Sequence, residues 1–488
     1  METKEKPEKT PQHPTLEPTT LVIFGITGDL AQRKLLPALY YLSEQNLLPE
    51  LFTIIGVTRH GITMEELLKR IKKAVKASGK QPSLAALEKL GKRIEVMKLD
   101  LLDQNEYGRL RDRLDAIENE HGLCINRLFY LAIPAQNFES VIDHLGTGRL
   151  NESCQHGGGA RLLIEKPFGY DLASAQELIH ALNKHFGEEQ IYRIDHYLAK
   201  ETAQNILSFR FKNPIFRRMW DGKSITSITI TAAEKIDIEG RVNFYEQTGA
   251  LRDFIQSHLL QLLALTTMDE PSSLTSDAIH RQKLALLHDI IPIPANKVAI
   301  DTVRGQYDDY RDEVENPHSN TETYAAIRLS IDSERWRNVP VVLQTGKALA
   351  EKVAEINIVF ADAERHQHVN TLTIRIQPNE GISLQLFAKK PGFTDQVEPV
   401  DMSFDYGRSF AGDNNQPDAY ERVLMDALRG DKTLFATSDE VLASWRIIEN
   451  VIHEWAKNGD DLHHYKRGSN GPSAGETLIH AAKNSKRA

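Results

Sequence analysis

Hydrophobic residues fall along this chain in two different rhythms. Up to about residue 200, short apolar runs rich in β-branched residues alternate with amphipathic stretches. The runs are Leu21–Phe24, Phe52–Val57, Ile94–Leu99, Leu128–Ile133, Leu162–Ile164 and Ile191–Ile194. Helical patterns separate them at Lys34–Leu42, 63–78, 105–118, 136–145 and 172–186. Strands alternating with helices predict a mostly parallel sheet covered on both faces. After about residue 220 the period changes to two. Ser224–Ala232 and Thr371–Gln377 alternate, and Thr323–Ile331, Val339–Leu343, Val353–Phe360 and Ile382–Phe387 also read as strands. This predicts a large, mostly antiparallel sheet with one face packed and one freer. Long helices return at about 250–266, 418–429 and 438–457. The expected fold class is an α/β N-terminal domain plus an α+β C-terminal domain. A polar, Pro/Thr-rich arm over 1–18 is expected to be disordered, with the two domains over 19–200 and 201–488.

Composition narrows the class of protein. The length of 488 residues suits two or three domains, and 41% hydrophobic residues suffice for packed cores. A net charge of −9 argues against a general nucleic-acid binder, although local cations can still hold a small anion. Cys124 and Cys154 are the only cysteines, and no metal-ligand spacing surrounds them. They read as small hydrophobes of a reducing compartment, the cytoplasm, and no metal is expected. Neither a secretory signal nor a transmembrane run is present, so no membrane partner is expected.

The first candidate site is the turn Gly25-Ile26-Thr27-Gly28-Asp29-Leu30, between the first strand and the first helix. Glycines there let the backbone approach a phosphate, and a helix N-terminus behind them favours anions. The motif is shorter than GxGxxG, and a plain strand-to-helix turn explains it equally well on its own. Lys34 lies one to two turns further on. The second strand ends at Thr58-Arg59-His60, with no carboxylate for a ribose 2′-hydroxyl. An arginine there suits a 2′-phosphate and so favours NADP over NAD.

Three segments together resemble the glucose-6-phosphate dehydrogenase family. They are the Gly25–Pro37 turn and helix, Glu165-Lys166-Pro167-Phe168-Gly169, and Arg193-Ile194-Asp195-His196-Tyr197-Leu198-Ala199-Lys200-Glu201. Gly249–Gln261, Gly346-Lys347-Ala348-Leu349, and Asp418–Arg422 through Asp431 fit as well. The resemblance implies a Rossmann-like domain followed by an α+β domain with a large sheet, paired as a homodimer or homotetramer. It implies oxidation of glucose 6-phosphate at C1 by NADP⁺ to 6-phosphogluconolactone, the first step of the oxidative pentose phosphate pathway.

The same resemblance distributes roles. His258 becomes the base for the C1 hydroxyl, and Asp195 its orienting carboxylate. His196, Tyr197 and Lys200 take the phosphate. If that stretch is helical, His196 and Lys200 share one face. Glu234 and Asp253 take sugar hydroxyls, and Lys347 and Lys352 are further substrate positions. Lys166 stands at a strand's carboxyl end, where it serves both substrate and cofactor, and a cis Lys166–Pro167 bond is a hypothesis. Cofactor positions are Gly25, Thr27, Gly28, Asp29, Leu30, Lys34, Arg59, Asp100, Leu101 and Lys166. Asp253 and His258 are five apart, about 140° around an ideal helix, so a shared site requires an irregular helix start or a substrate lying across the flank. Ala199, Ala135 and Gln344 depart from the family pattern. Two rival readings remain: a catalytically silent sugar-phosphate sensor on the same fold, and a different nicotinamide oxidoreductase.

Overall fold

The computed structural model describes residues 16–152, 158–361, 368–410, 417–457 and 461–484. Most of the expected arm, residues 1–15, lies outside them, as does Cys154. The chain separates into two compact units. The first comprises the chain up to Ile164 with Leu182–Tyr192 and Tyr420–Asp431; the second comprises Glu165–Ala181, Arg193–Ala419 and Lys432 onward.

In the first unit, β1 (Thr19–Phe24), β2 (Phe52–Thr58), β3 (Ile94–Lys98), β4 (Asn126–Leu131), β5 (Ala160–Ile164) and the first half of β6 (Ile191–Ile194) run in the order β6-β5-β4-β1-β2-β3. The pairs from β5 to β3 are parallel, as the alternation with helices requires. Every residue of β1 is buried, which explains its unbroken apolar run. Phe24 pairs with both Val57 and Leu131, so the carboxyl ends of β1, β2 and β4 lie level. The chain order reverses on the two sides of β1, and ligands of open α/β sheets bind at such a point. The helix Met64–Ala77 shows how local signals build the cover. Thr63 caps it by accepting from Glu66 N, and it buries Leu67, Ile71 and Val75 in one stripe.

The second unit holds β7 (Ile225–Ala233), β8 (Ile290–Ile291), β9 (Thr302–Tyr307), β10 (Tyr324–Ile331), β11 (Val341–Gly346), β12 (Val353–Phe360), β13 (Thr371–Gln377), β14 (Gly381–Lys389), β15 (Val397–Asp405), β16 (Phe435–Ala436) and β17 (Leu462–Tyr465). Its large sheet runs β15-β14-β13-β12-β7-β11-β10-β9-β17, with β8 on β10. The sheet is mostly antiparallel, but β7 pairs with β11 and β9 with β17 in parallel. Burial alternates along β12 and β13 with the period of two read in the sequence, and exposure grows toward the β15 edge.

The sequence missed β9, β15 and β17, and the two-residue strands β8 and β16. Cys124 corrects another expectation: it is disulfide-bonded rather than a free small hydrophobe. It sits half-buried in the loop before β4, outside the core that a free thiol would prefer. No helix among the described residues is long and apolar enough to cross a membrane.

Candidate active site

Level strand ends in the first unit leave a cleft of about 420 Å³ lined by Gly25, Thr27, Gly28, Arg59, Asp100 and Leu101, together with residues after β4. Gly25 is required there twice over. Its φ is +86°, and a Cβ would stand 2.5 Å from the Ala132 carbonyl oxygen. Gly28 N–H donates to the Gly25 carbonyl at 2.8 Å and closes the turn. Thr27 and Thr58 hydroxyls meet at 3.2 Å and tie the turn to the end of β2. Arg59 and His60 are exposed at the rim. Of the other expected cofactor positions, Asp29 is exposed and pairs with Arg33, while Lys34 lies 5.9 Å from the Tyr420 ring centroid; neither these nor Leu30 line the cleft.

The remaining expected residues belong to the second unit, and most of them converge there. His258 and Asp195 are each 2% exposed, and Asp195 Oδ1 meets His258 Nδ1 at 2.6 Å. Burial lowers the imidazole's pKa below its ordinary value, reinforced by Lys166 and opposed by Asp195. Burial pushes the Asp195 carboxyl up, but His258, Lys166 and His196 outweigh it and hold the group well below the usual carboxylate range. The pair is therefore a neutral imidazole donating from Nδ1 to a carboxylate, which leaves Nε2 as acceptor.

Lys166 follows β5 through a cis Lys166–Pro167 bond. Its ammonium donates to the Asp253 carbonyl at 2.5 Å, to Ser257 Oγ at 2.8 Å and to His258 Nε2 at 2.9 Å. Burial pushes the Lys166 ammonium down, while the carboxylates of Asp253, Asp195 and Glu165 support its charge. Trp445 Nε1 donates to the Phe168 carbonyl at 3.1 Å, and Arg252 Nε to the Tyr170 carbonyl at 2.9 Å, so the loop that carries Lys166 is held at two points.

Helix geometry removes the conflict between Asp253 and His258. Leu251–Leu259 is a π-helix, continued by the α-helix Leu260–Thr267. Hydrogen bonds from i to i+5 set residues five apart one above the other, so Asp253 and His258 face the same ammonium. Lys166 Nζ lies 3.7 Å from Asp253 Oδ1.

The Arg193–Glu201 segment, the hallmark of the resemblance, corrects a second expectation. Residues 195–200 form consecutive turns, and the helix begins only at Glu201, with Lys200 extended at its N-cap (φ −72°, ψ 136°). Asp195 Oδ1 accepts from Tyr197 N at 2.9 Å, a local bond that competes with helix formation. His196 and Lys200 therefore do not share a helix face. The His196 ring stands 4.7 Å from that of His258, and the Tyr197 ring stacks on His258 at 4.4 Å.

Sheet register supplies another pair. β7 and β11 run parallel with Ala233 opposite Gly346, which brings Glu234 and Lys347 together just past the two strand ends. Lys347 Nζ bonds Glu234, lies within 5.7 Å of the Tyr245 and 5.5 Å of the Phe254 ring centroids, and is 2% exposed. Lys352 does not join them. It is exposed before β12, and no contact among the described residues ties it to the group.

Three residues of the group escaped the sequence reading. Ser257 adjoins His258 and was legible by adjacency. Gln377 Nε2 donates to the Tyr197 hydroxyl at 3.2 Å, and Glu380 Oε1 lies 3.8 Å from Lys200 Nζ. Gln377 ends β13 and Glu380 stands in the hairpin turn to β14, where the linear signal is the turn sequence Gln377-Pro378-Asn379. No group of three or more His, Cys, Asp or Glu among the described residues could hold a metal ion.

Comparison with known proteins places the chain among its relatives. The family "Glucose-6-phosphate dehydrogenase, NAD binding domain" matches residues 22–205, and "Glucose-6-phosphate dehydrogenase, C-terminal domain" matches 207–487. The chain is 38% identical to a glucose-6-phosphate 1-dehydrogenase of Chlamydia muridarum, with 97% of each chain covered. It is 37% identical to that of Bacillus subtilis, over 96% of this chain and 98% of the other. A solved glucose-6-phosphate dehydrogenase in complex with glucose 6-phosphate superposes with a TM-score of 0.88 at 32% identity, covering 96% of this chain and 98% of that one. The enzyme from Mycobacterium avium gives 0.81 at 34% identity, over 95% and 98%. With both domains matched and near-complete coverage, the chain belongs to the glucose-6-phosphate dehydrogenase family.

Proposed function

We propose that this protein oxidises D-glucose 6-phosphate at C1 to 6-phospho-D-glucono-1,5-lactone, with NADP⁺ as hydride acceptor, the opening reaction of the oxidative pentose phosphate pathway. The observation that carries the reading is the buried Asp195–His258 pair at 2.6 Å, set beside Lys166, in a chain of this family. His258 Nε2 is the base for the C1 hydroxyl proton. It has one lone pair, which Lys166 occupies, so proton transfer requires the ammonium to yield that lone pair to the substrate. Asp195 then stabilises the imidazolium that forms. His196, Tyr197 and Lys200 serve the phosphate, and Glu234, Asp253 and Lys347 serve the hexose hydroxyls; Lys352 is a weaker member because it is exposed.

The cleft at β1 fits a dinucleotide. A Cβ would fill the Gly25 cradle, and the end of β2 offers a guanidinium instead of a carboxylate. Gly25, Thr27 and Gly28 would hold the phosphates, Arg59 the 2′-phosphate, and Asp100 and Leu101 the neighbouring wall. Bound there, NADP⁺ supplies the hydride acceptor. Asp29 and Leu30 in the same turn, and Lys34 in the helix after it, complete the proposed cofactor positions, although none of the three lines the cleft.

The reading includes a homodimer, alone or doubled into a homotetramer, in the cytoplasm. β15 is the edge of the large sheet and exposes Val397, Val400 and Met402.

Purified protein should reduce NADP⁺ with glucose 6-phosphate, followed by the absorbance of the reduced nicotinamide. No reduction with either NADP⁺ or NAD⁺ refutes the activity and favours the silent sensor.

A further inference from the structure

Lys200, assigned above to the substrate phosphate, already faces an anion from its own chain. It caps the helix Glu201–Lys212, whose first N–H groups have no partner within the helix. One of these, Thr202 N, donates to Glu380 Oε2 at 3.3 Å, and the Thr202 hydroxyl donates to the same oxygen at 3.1 Å. The other oxygen, Oε1, stands 3.8 Å from Lys200 Nζ. A single carboxylate thus engages an ammonium, a hydroxyl and a helix N-terminal N–H, the kinds of donor that bind a phosphate oxygen.

Glu380 is not a wandering surface chain. The Lys200 and Glu380 side chains are only 26% and 20% exposed. The hairpin turn is fixed by Tyr406 N, which donates to the Glu380 carbonyl at 3.1 Å, and by Gln377, which reaches Tyr197. Sequence separation of 178 positions between Thr202 and Glu380 means that two distant elements are built to meet here.

We propose that Glu380 is an affinity-setting residue of the phosphate subsite: its carboxylate is an internal competitor that substrate phosphate must displace from Lys200 and Thr202. The proposal rests on the assignment of Lys200 to the phosphate. A carboxylate beside an arriving dianion also repels it, so the site binds phosphate less tightly than its donors allow. The penalty falls equally on any phosphate that uses Lys200. It acts on binding and leaves the base, Asp195 and Lys166 untouched, so it raises KM and spares kcat.

Glu380→Gln keeps the side-chain shape and an oxygen for Thr202 while removing the charge. The KM for glucose 6-phosphate should fall about fivefold, and the Ki of inorganic phosphate as a competitive inhibitor should fall by the same factor, with kcat within about twofold of the parent. Glu380→Ala is measured in parallel, and whichever variant keeps the parent melting temperature is read. An unchanged or raised phosphate Ki in that variant overturns the proposal and makes Glu380 a positioning residue. Failure of the parent protein itself to oxidise glucose 6-phosphate removes the underlying reading and takes the proposal with it. Turnover by the parent with an unaltered Ki in the variant removes the proposal alone.

Discussion

The setting of His258 keeps its imidazole in the neutral, proton-accepting form. Burial lowers its pKa, so the imidazole stays neutral to below its ordinary value near 6.5. A group whose protonated form is disfavoured keeps its base function as the pH falls. The acidic limb of the kcat/KM profile should therefore lie below 6.5, and a limb above that value would contradict the assignment. His258→Asn should lower kcat by about 10² to 10⁴ while changing KM only a few-fold. Near-normal turnover would remove the residue from its role. Arg59 makes a separate claim, about the cofactor. Its guanidinium lies exposed at the rim of the cleft, where a 2′-phosphate can meet it, so Arg59→Ala should weaken NADP⁺ far more than NAD⁺ in initial-rate measurements. Equal losses would refute the 2′-phosphate contact.

Among the elements, the π-helix Leu251–Leu259 decides whether a site exists. Its start is held by Glu322, whose carbonyl accepts from Ala250 N at 2.9 Å and whose Oε1 accepts from Leu251 N at 3.0 Å. Burial raises the Glu322 carboxyl's pKa, with Arg252 and the Leu251 N–H opposing. Gly249 lets the carboxylate in. Its φ is +58°, and a Cβ would meet Glu322 Oε1 at 2.3 Å. Gly249→Ala should cost about 1–3 kcal/mol in denaturant unfolding, and it should lower kcat as the helix start shifts. A variant of parental stability and activity would show that neither the backbone conformation nor the close approach matters.

This element also shows the limit of reading a sequence locally. The stretch is legible as a helix from its apolar residues. Its winding is not, because α and π turns differ by one residue in hydrogen-bond partner and not in composition. The hallmark stretch errs the other way. Its spacing suits a helix, yet one side-chain bond from Asp195 to Tyr197 N turns the chain instead.

At the scale of the whole molecule, the mostly antiparallel sheet is asymmetric. Strands at its centre are buried, whereas β15 leaves Val400 43% and Met402 64% exposed at an edge. An edge strand of this kind is a template for a second copy. On the proposed homodimer, the parent should sediment as a dimer and the doubly substituted Val400→Lys/Met402→Lys protein, at the same concentration, as a monomer. A parent that sediments as a monomer, or a variant that remains dimeric, would place association elsewhere or remove it.

The sequence alone determined what depends on neighbours within a few residues. The strand–helix alternation, the later period of two and the glycine turn after β1 were legible because local period and residue type carry them, whereas His258, Asp195, Lys166 and Lys347 stood out only through the family resemblance. Tertiary structure decided which of these groups meet. Asp195 reaches His258 across 63 positions, Lys347 reaches Glu234 across 113, and Gln377 reaches Tyr197 across 180. Such contacts are set by sheet register, helix winding and the route of the chain. Their stabilisation is realised only once the intervening chain has closed, so no local pattern records them.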